Sequence, residues 1–158
     1  RSGAAGNKDY GYWFGGHNNY SIIERVDYSN DSATTTTKGP MTANRYATAA
    51  VGNQSFGYVG GSGLVGTTVI DRLDYSNDTN NATPKGLLTT AKLQFSGTGN
   101  QSFGYFGGGF HPSAPSLYST TERVDYSNDT ATAVAKAPLL AIRRHAGAFS
   151  AAENANPQ

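Results

Sequence analysis

The side chains that could do chemistry in this 158-residue chain gather in one recurring string. Asp-Tyr-Ser-Asn-Asp occupies residues 27–31, 74–78 and 125–129, which sets out carboxylates at Asp27 and Asp31, Asp74 and Asp78, and Asp125 and Asp129. Carboxylates so spaced look superficially like an oxygen-ligand calcium loop, but such a loop needs more ligands, including a distal Glu, than these segments offer. The chemistry expected of them is that of a turn, in which the Asx side chain bonds the backbone two residues on. The triplets Asn30-Asp31-Ser32, Asn77-Asp78-Thr79 and Asn128-Asp129-Thr130 would be glycan acceptors only in a eukaryotic secretory route, and the same turns explain them without glycans. His17, His111 and His145 stand at different phases and lack the paired spacing of a metal helix or a triad. The Gly-rich residues 60–66 and 107–109 precede no helix carrying Lys-Ser or Lys-Thr, so they are not phosphate loops. No Ser, His and Asp grouping recurs. The expectation is a chain with no catalytic residues, no metal and no cofactor.

An acidic residue and an arginine precede each string, as Glu24-Arg25, Asp71-Arg72 and Glu122-Arg123. Strand alternation puts Arg25 with Asp27 on one face and Glu24 with Val26 on the other. Arg25, Arg72 and Arg123 are expected to be structural, pairing with Asp groups of the same or a neighbouring unit.

The elements that position these residues repeat with them. A second string, Gly-Asn-Gln-Ser-Phe-Gly-Tyr, occupies residues 52–58 and 99–105, with Gly6-Asn7-Lys8-Asp9-Tyr10-Gly11-Tyr12 as its first copy. Asp27 to Tyr58 and Asp74 to Tyr105 are both 31 residues, whereas Tyr to the next Asp spans 15, 16 and 20 (27 − 12, 74 − 58, 125 − 105). A rigid frame thus carries one variable loop per unit. In the second unit, short runs rich in Tyr, Phe, Val and Thr predict strands at about 45–51, 56–60, 67–75 and, more weakly, 82–86, with turns at 52–55, 60–63 and 76–79. The Ala-rich stretch 131–152 has a possible helical face in Leu139, Leu140, Ile142 and Ala146. The repeat register overrides it, since Asp125 to Arg143 equals Asp27 to Arg45 and Asp74 to Lys92 at 18 residues, so strand is expected to about residue 150.

Composition narrows the function classes. A net charge of +1 with only 15% charged residues gives no long-range field for nucleic acid or membrane lipid. With no cysteine there are no disulfides or thiolate sites, and no stretch approaches the roughly 20 apolar residues of a membrane span.

Four antiparallel strands in about 47 residues is the size of one propeller blade. Gly60-Gly61 and Gly107-Gly108 follow aromatic strands as the kelch double glycine follows its second strand, and Gly39-Pro40-Met41 before Arg45 resembles the kelch passage into the next inner strand. The chain therefore resembles the kelch-repeat β-propeller family over roughly residues 3–150. It departs from the pattern at Tyr12-Trp13-Phe14-Gly15-Gly16, where Phe14 takes the first glycine position, and in lacking the outer-strand Trp. The repeat wording also resembles repeats of marine bacteriophage structural proteins such as tail fibres.

The resemblance implies an all-β fold of three four-stranded antiparallel blades, about 1–44, 45–91 and 92–142, then an extra inner strand at 143–150 and a tail at 151–158. Three blades do not close a ring, so the expected partners are further blades from a longer chain or a second copy. The longer chain is favoured because an inner strand at each end would compete for one place in a head-to-tail dimer. The function implied is a non-catalytic structural or binding segment of a virion or extracellular appendage, contacting a cell-surface glycan or protein through the loops between strands two and three. His17, Tyr20, Phe110, His111 and Tyr118 are the candidate contact residues there, and loop aromatics packing under their own loop are the bland alternative. A secreted lectin-like module is the second reading, and an enzyme fragment with residues converging on a propeller axis is the third.

Overall fold

The computed structural model describes residues 2–16, 20–61, 66–111, 113 and 116–149. Fourteen strands build three four-stranded antiparallel sheets and one small hairpin, and no α-helix occurs among the described residues. Unit I is β1 (Gly3–Gly6), β2 (Tyr10–Phe14), β3 (Ile23–Asp27) and β4 (Thr36–Lys38), paired in that order. Unit II is β5 (Ala49–Gly52), β6 (Phe56–Gly60), β7 (Thr67–Asp74) and β8 (Thr83–Lys92). Unit III is β9 (Ser96–Gly99), β10 (Phe103–Gly107), β13 (Thr121–Asp125) and β14 (Val134–Lys136). Its long loop folds on itself as β11 (Phe110–His111) and β12 (Ser116–Leu117). The fold is all-β, built of blade-like units.

Each hairpin follows from its turn residues. Asn7, Asn53 and Asn100 accept backbone N–H groups two and three residues on, which sets the turn between the first and second strands. Asp27, Asp74 and Asp125 do the same after the third strand, each accepting from the Ser two residues later through both its N–H and its hydroxyl. In units II and III that turn winds one 3₁₀ turn, Tyr75–Asn77 and Tyr126–Asn128.

The double glycine has a geometric cause at its second position. Gly15, Gly61 and Gly108 have φ of +70°, +82° and +72°, which a side chain adopts only with strain, and a Cβ at Gly61 would strike the Phe95 ring. The first position makes no such demand. Phe14 therefore stands where Gly60 and Gly107 stand, and its ring is fully buried.

Three sequence expectations are corrected. The first strand of unit II begins at Ala49 instead of near Arg45, because Ala47 turns through φ +55° and the backbone of Arg45 makes an isolated bridge to Tyr20 instead of joining a ladder. The weak fourth run becomes the longest strand, β8, because it bulges to follow β7 down to Lys92. The extra strand expected at 143–150 is not formed over 143–149, whose residues join no ladder; residue 150 and the tail lie outside the described residues. A strand needs a hydrogen-bonding neighbour, and this segment has no hairpin partner.

The cores lie between sheets. Tyr12, Phe14, Ile23 and Met41 of unit I interlock with Ala50, Val59, Leu73, Tyr75 and Ala82 of unit II. Tyr58, Ile70 and Leu88 of unit II meet Phe95, Phe106, Val124 and Ala133 of unit III. Full burial of such side chains is worth about 1.5–3 kcal/mol each, so each unit draws much of its stability from its neighbour. Each unit thus has a back face toward the unit that follows and a front face toward the unit that precedes it.

Candidate functional site

The polar constellation of the molecule is a latch between units, formed twice with the same parts. Tyr12 and Arg25 lie directly opposite each other on β2 and β3, as Tyr58 and Arg72 do on β6 and β7. Cross-strand neighbours are held side by side, so hydroxyl and guanidinium project together from the back face. The Tyr12 hydroxyl donates to Asp78 of unit II at 2.9 Å, the Arg25 Nη1 sits 2.8 Å from the same oxygen, and Lys38 Nζ lies 3.2 Å from the other oxygen. At the next interface Tyr58, Arg72 and Lys85 close on Asp129 at 3.0, 2.7 and 3.4 Å.

Rings back the charges. Tyr12 stacks on Tyr75 with centroids 4.6 Å apart, and Tyr58 stacks on Tyr126 at 4.8 Å. Arg25, Arg72 and Arg123 each lie over an aromatic ring of their own sheet, Tyr10, Phe56 and Phe103, at 4.1–4.3 Å. Burial, with the nearby carboxylate, pushes the Tyr12 and Tyr58 phenols well above their ordinary value, so both remain hydrogen-bond donors at every ordinary pH.

A second ionic contact ties each connecting segment to the third strand ahead of it. Arg45 Nη2 meets Asp71 at 3.0 Å, and Asp71 also accepts from Thr42 N–H at 3.0 Å and its hydroxyl at 2.8 Å. Lys92 and Glu122, both with fully buried side chains, stand at the equivalent positions, 3.1 Å apart, while Glu122 Oε2 accepts from Thr89 N–H at 2.8 Å. Burial pulls Arg45 and Lys92 below their ordinary values, opposed by the facing carboxylate.

The sequence singled out Arg25, Arg72, Asp27, Asp74 and Asp125 from these strings, and their roles divide. Arg25 and Arg72 reach aspartates of the following unit. Arg123 has no carboxylate partner among the described residues. Asp27, Asp74 and Asp125 serve their own turns, and hydrogen bonds from Ser29 and Ser127 hold the Asp27 and Asp125 carboxyls below the usual range. The latch belongs to the second Asp of the string, Asp78 and Asp129, which sequence reasoning gave to the turn. Asp71, Glu122, Arg45 and Lys92 were missed as pairs. A signal existed in the recurrence of Tyr at 12, 58 and 105 and of Lys at 38, 85 and 136.

The loop residues are not gathered into one site. Tyr20 is 48% exposed on unit I, and its carbonyl accepts from Arg45 N–H, as the Tyr118 carbonyl of unit III accepts from Arg143 N–H. Phe110 is half-buried, bridged to Leu93, with Arg144 5.6 Å from its ring. His111 Nδ1 accepts from Ser113 N–H at 3.1 Å. His17 lies outside the described residues. Among the described residues no three His, Cys, Asp or Glu side chains converge as a metal cage would require, and no helix is long and apolar enough to cross a membrane.

No protein-family model matches the chain, and the search of curated proteins gives no match.

Proposed function

We propose that the chain is a non-catalytic, kelch-like propeller segment of a virion or extracellular appendage such as a tail fibre, a rigid array that presents loops to a cell surface. The observation that carries this reading is the division of labour along the chain. The buried ionisable side chains join one unit to the next, and the length variation falls in the loops between the second and third strands. A frame that fixes loop ends while loops vary suits recognition of an external surface. The partner chemistry that fits is a sugar ring or a flat apolar protein patch, because the loops offer the Tyr20 ring and the Phe110 hairpin without a cluster of charge.

The test is binding of the labelled whole chain to intact bacterial cells and to immobilised glycans, compared with Tyr20→Ala and a Phe110→Ala/Tyr118→Ala double variant. The expected result is cell binding that falls at least tenfold in one variant with circular dichroism unchanged. Binding indifferent to both variants, or to no surface at all, overturns the loop reading. Tight binding to isolated glycans by a chain that never co-purifies with particles replaces the appendage with a soluble lectin.

A further inference from the structure

The latch that closes at both internal interfaces is present in separated halves at the two ends of the chain. On the back face of unit III, Tyr105 stands opposite Arg123, and Lys136 completes the basic pair, in the register of Tyr12, Arg25 and Lys38. Arg123 is already seated over Phe103 at 4.3 Å, as its equivalents are. Arg143 follows at the place of Arg45 and Lys92. On the front face of unit I, Asp31 stands at the position of Asp78 and Asp129, and Tyr28, 53% exposed, at that of Tyr75 and Tyr126. Glu24, exposed, occupies the position of Asp71 and Glu122.

Size is matched as well as charge. Within unit I, Phe14 faces the small Val59 of unit II; in the next interface Gly60 takes the place of Phe14, and the larger Phe106 takes that of Val59. On the free back face the equivalents of Phe14 and Ile23 are Gly107 and Thr121. They line a groove of about 290 Å³ with Tyr105, Leu139 and Arg143, and residues 146–148 form part of its wall. On the free front face the equivalent of Val59 is Trp13, the sole tryptophan, 40% exposed.

We propose that the back face of unit III receives the front face of unit I of a second copy, with Trp13 entering the groove and Asp31 and Tyr28 closing the third latch. The contact is heterologous, so it closes a ring of copies or propagates as a fibre according to the angle between units. The sequence-level objection was an inner strand at both ends. In the structure, residues 147–149 are exposed and in no ladder, and the Ser96 and Thr98 hydroxyls donate to the Ala146 and Phe149 carbonyls, so the incoming Gly3–Gly6 strand has two side-chain hydrogen bonds to replace and no ladder to break. One position resists: Gly39 and Gly86 lie against the Asn80 and Ala131 carbonyls of the next unit with no room for a Cβ, and unit III has Ala137 there. The third latch is therefore weaker than the other two.

The experiment is light scattering coupled to size exclusion over a hundredfold range of concentration, with tryptophan emission followed in parallel. The expected result is mass above the monomer at high concentration with a blue shift as Trp13 leaves water. Asp31→Arg, at an exposed site with no ion pair among the described residues, weakens association at least tenfold, Asp31→Arg/Arg123→Asp restores part of it, and Ala137→Gly strengthens it. A monomer throughout the range, or association indifferent to Asp31→Arg, overturns the proposal. Either result leaves the cell-binding test of the loops independently readable.

Discussion

Asp129→Asn is the sharpest probe of how the units are held together. The substitution keeps shape and one acceptor oxygen while removing the charge that faces Arg72 at 2.7 Å and Lys85 at 3.4 Å and accepts from the Tyr58 hydroxyl. At an effective dielectric of 20, a unit pair near 3 Å is worth about 5 kcal/mol, but most of that only offsets the desolvation of the partners. What matters is the asymmetry. Removing one member of a largely buried pair costs about 3–5 kcal/mol because the other charges stay behind uncompensated. Arg72 is 25% and Lys85 17% exposed on their side chains, so water can recover part of the loss and the lower end, about 3 kcal/mol, applies.

That loss falls on one interface. In a repeat array, stability is a sum of unit terms and nearest-neighbour terms, so weakening the II–III contact uncouples unit III from the rest. Urea unfolding of the wild-type chain is expected to give coincident transitions by far-UV circular dichroism and by emission of Trp13, which reports unit I alone. In Asp129→Asn, with a slope of about 2 kcal/mol/M, the dichroism begins to fall about 1.5 M earlier, while the Trp13 transition stays near its wild-type midpoint. Asp31→Asn, the same chemical change at the exposed position of unit I, changes the stability read by either probe by less than about 0.5 kcal/mol at concentrations where the chain is monomeric. If Asp129→Asn costs no more than Asp31→Asn, or if both probes shift together, the latch does not couple the units as argued.

The neighbouring glycines give a second contrast: Gly61→Ala, forced to φ +82° against Phe95, is expected to cost more than about 2 kcal/mol in thermal unfolding. Gly60→Ala, whose Cβ meets nothing nearer than Leu88 at 3.5 Å, stays within about 1 kcal/mol. On the acid side, the Asp27 and Asp125 carboxyls have depressed values when folded, so the unfolded chain binds protons first. Their contribution is complete above the unfolded value of about 4 and is lost as pH falls through the folded ones, so an Asp27→Asn/Asp125→Asn chain shows a shallower decline in melting temperature below about pH 4.

What was legible in the sequence was what lies close along the chain. The recurring strings and the 31-residue spacing located three units and their hairpins, and turn chemistry assigned Asp27, Asp74 and Asp125. The latch was illegible for a physical reason: Tyr12 and Asp78 are 66 residues apart, and Tyr58 and Asp129 are 71. Alternation along a strand says which residues share a face, but not which carboxylate of the next sheet that face meets. Residues 143–149 failed for a related reason, since register carries the inner strand to that place but only a paired neighbour makes it a strand. The loops also divided, as the Tyr20 and Tyr118 carbonyls clamp the segment leading out of their own units instead of joining one surface.

The differences among the units then separate what fixes geometry from what sets strength. Tyr, Arg, Lys and the facing Asp are the same at every copy, including the unused halves at Tyr105, Arg123, Lys136 and Asp31, because directional bonds to one carboxylate define how two sheets meet. The apolar fill changes: Ile23 and Ile70 become Thr121, Met41 and Leu88 become Leu139, and the close-approach glycines become Ala137. An Ile lost to Thr forfeits about 1–2 kcal/mol of burial, and a methyl where two backbones should touch adds strain. A face that keeps the polar latch, leaves part of the filling to the partner's Trp13 and carries Ala137 at the close approach is oriented as strictly as the internal interfaces but held less tightly. Thr121→Ile tests this separation: by refilling the space left for Trp13 it should stabilise the isolated chain only slightly yet hinder association, because the larger side chain competes with the tryptophan for the same groove.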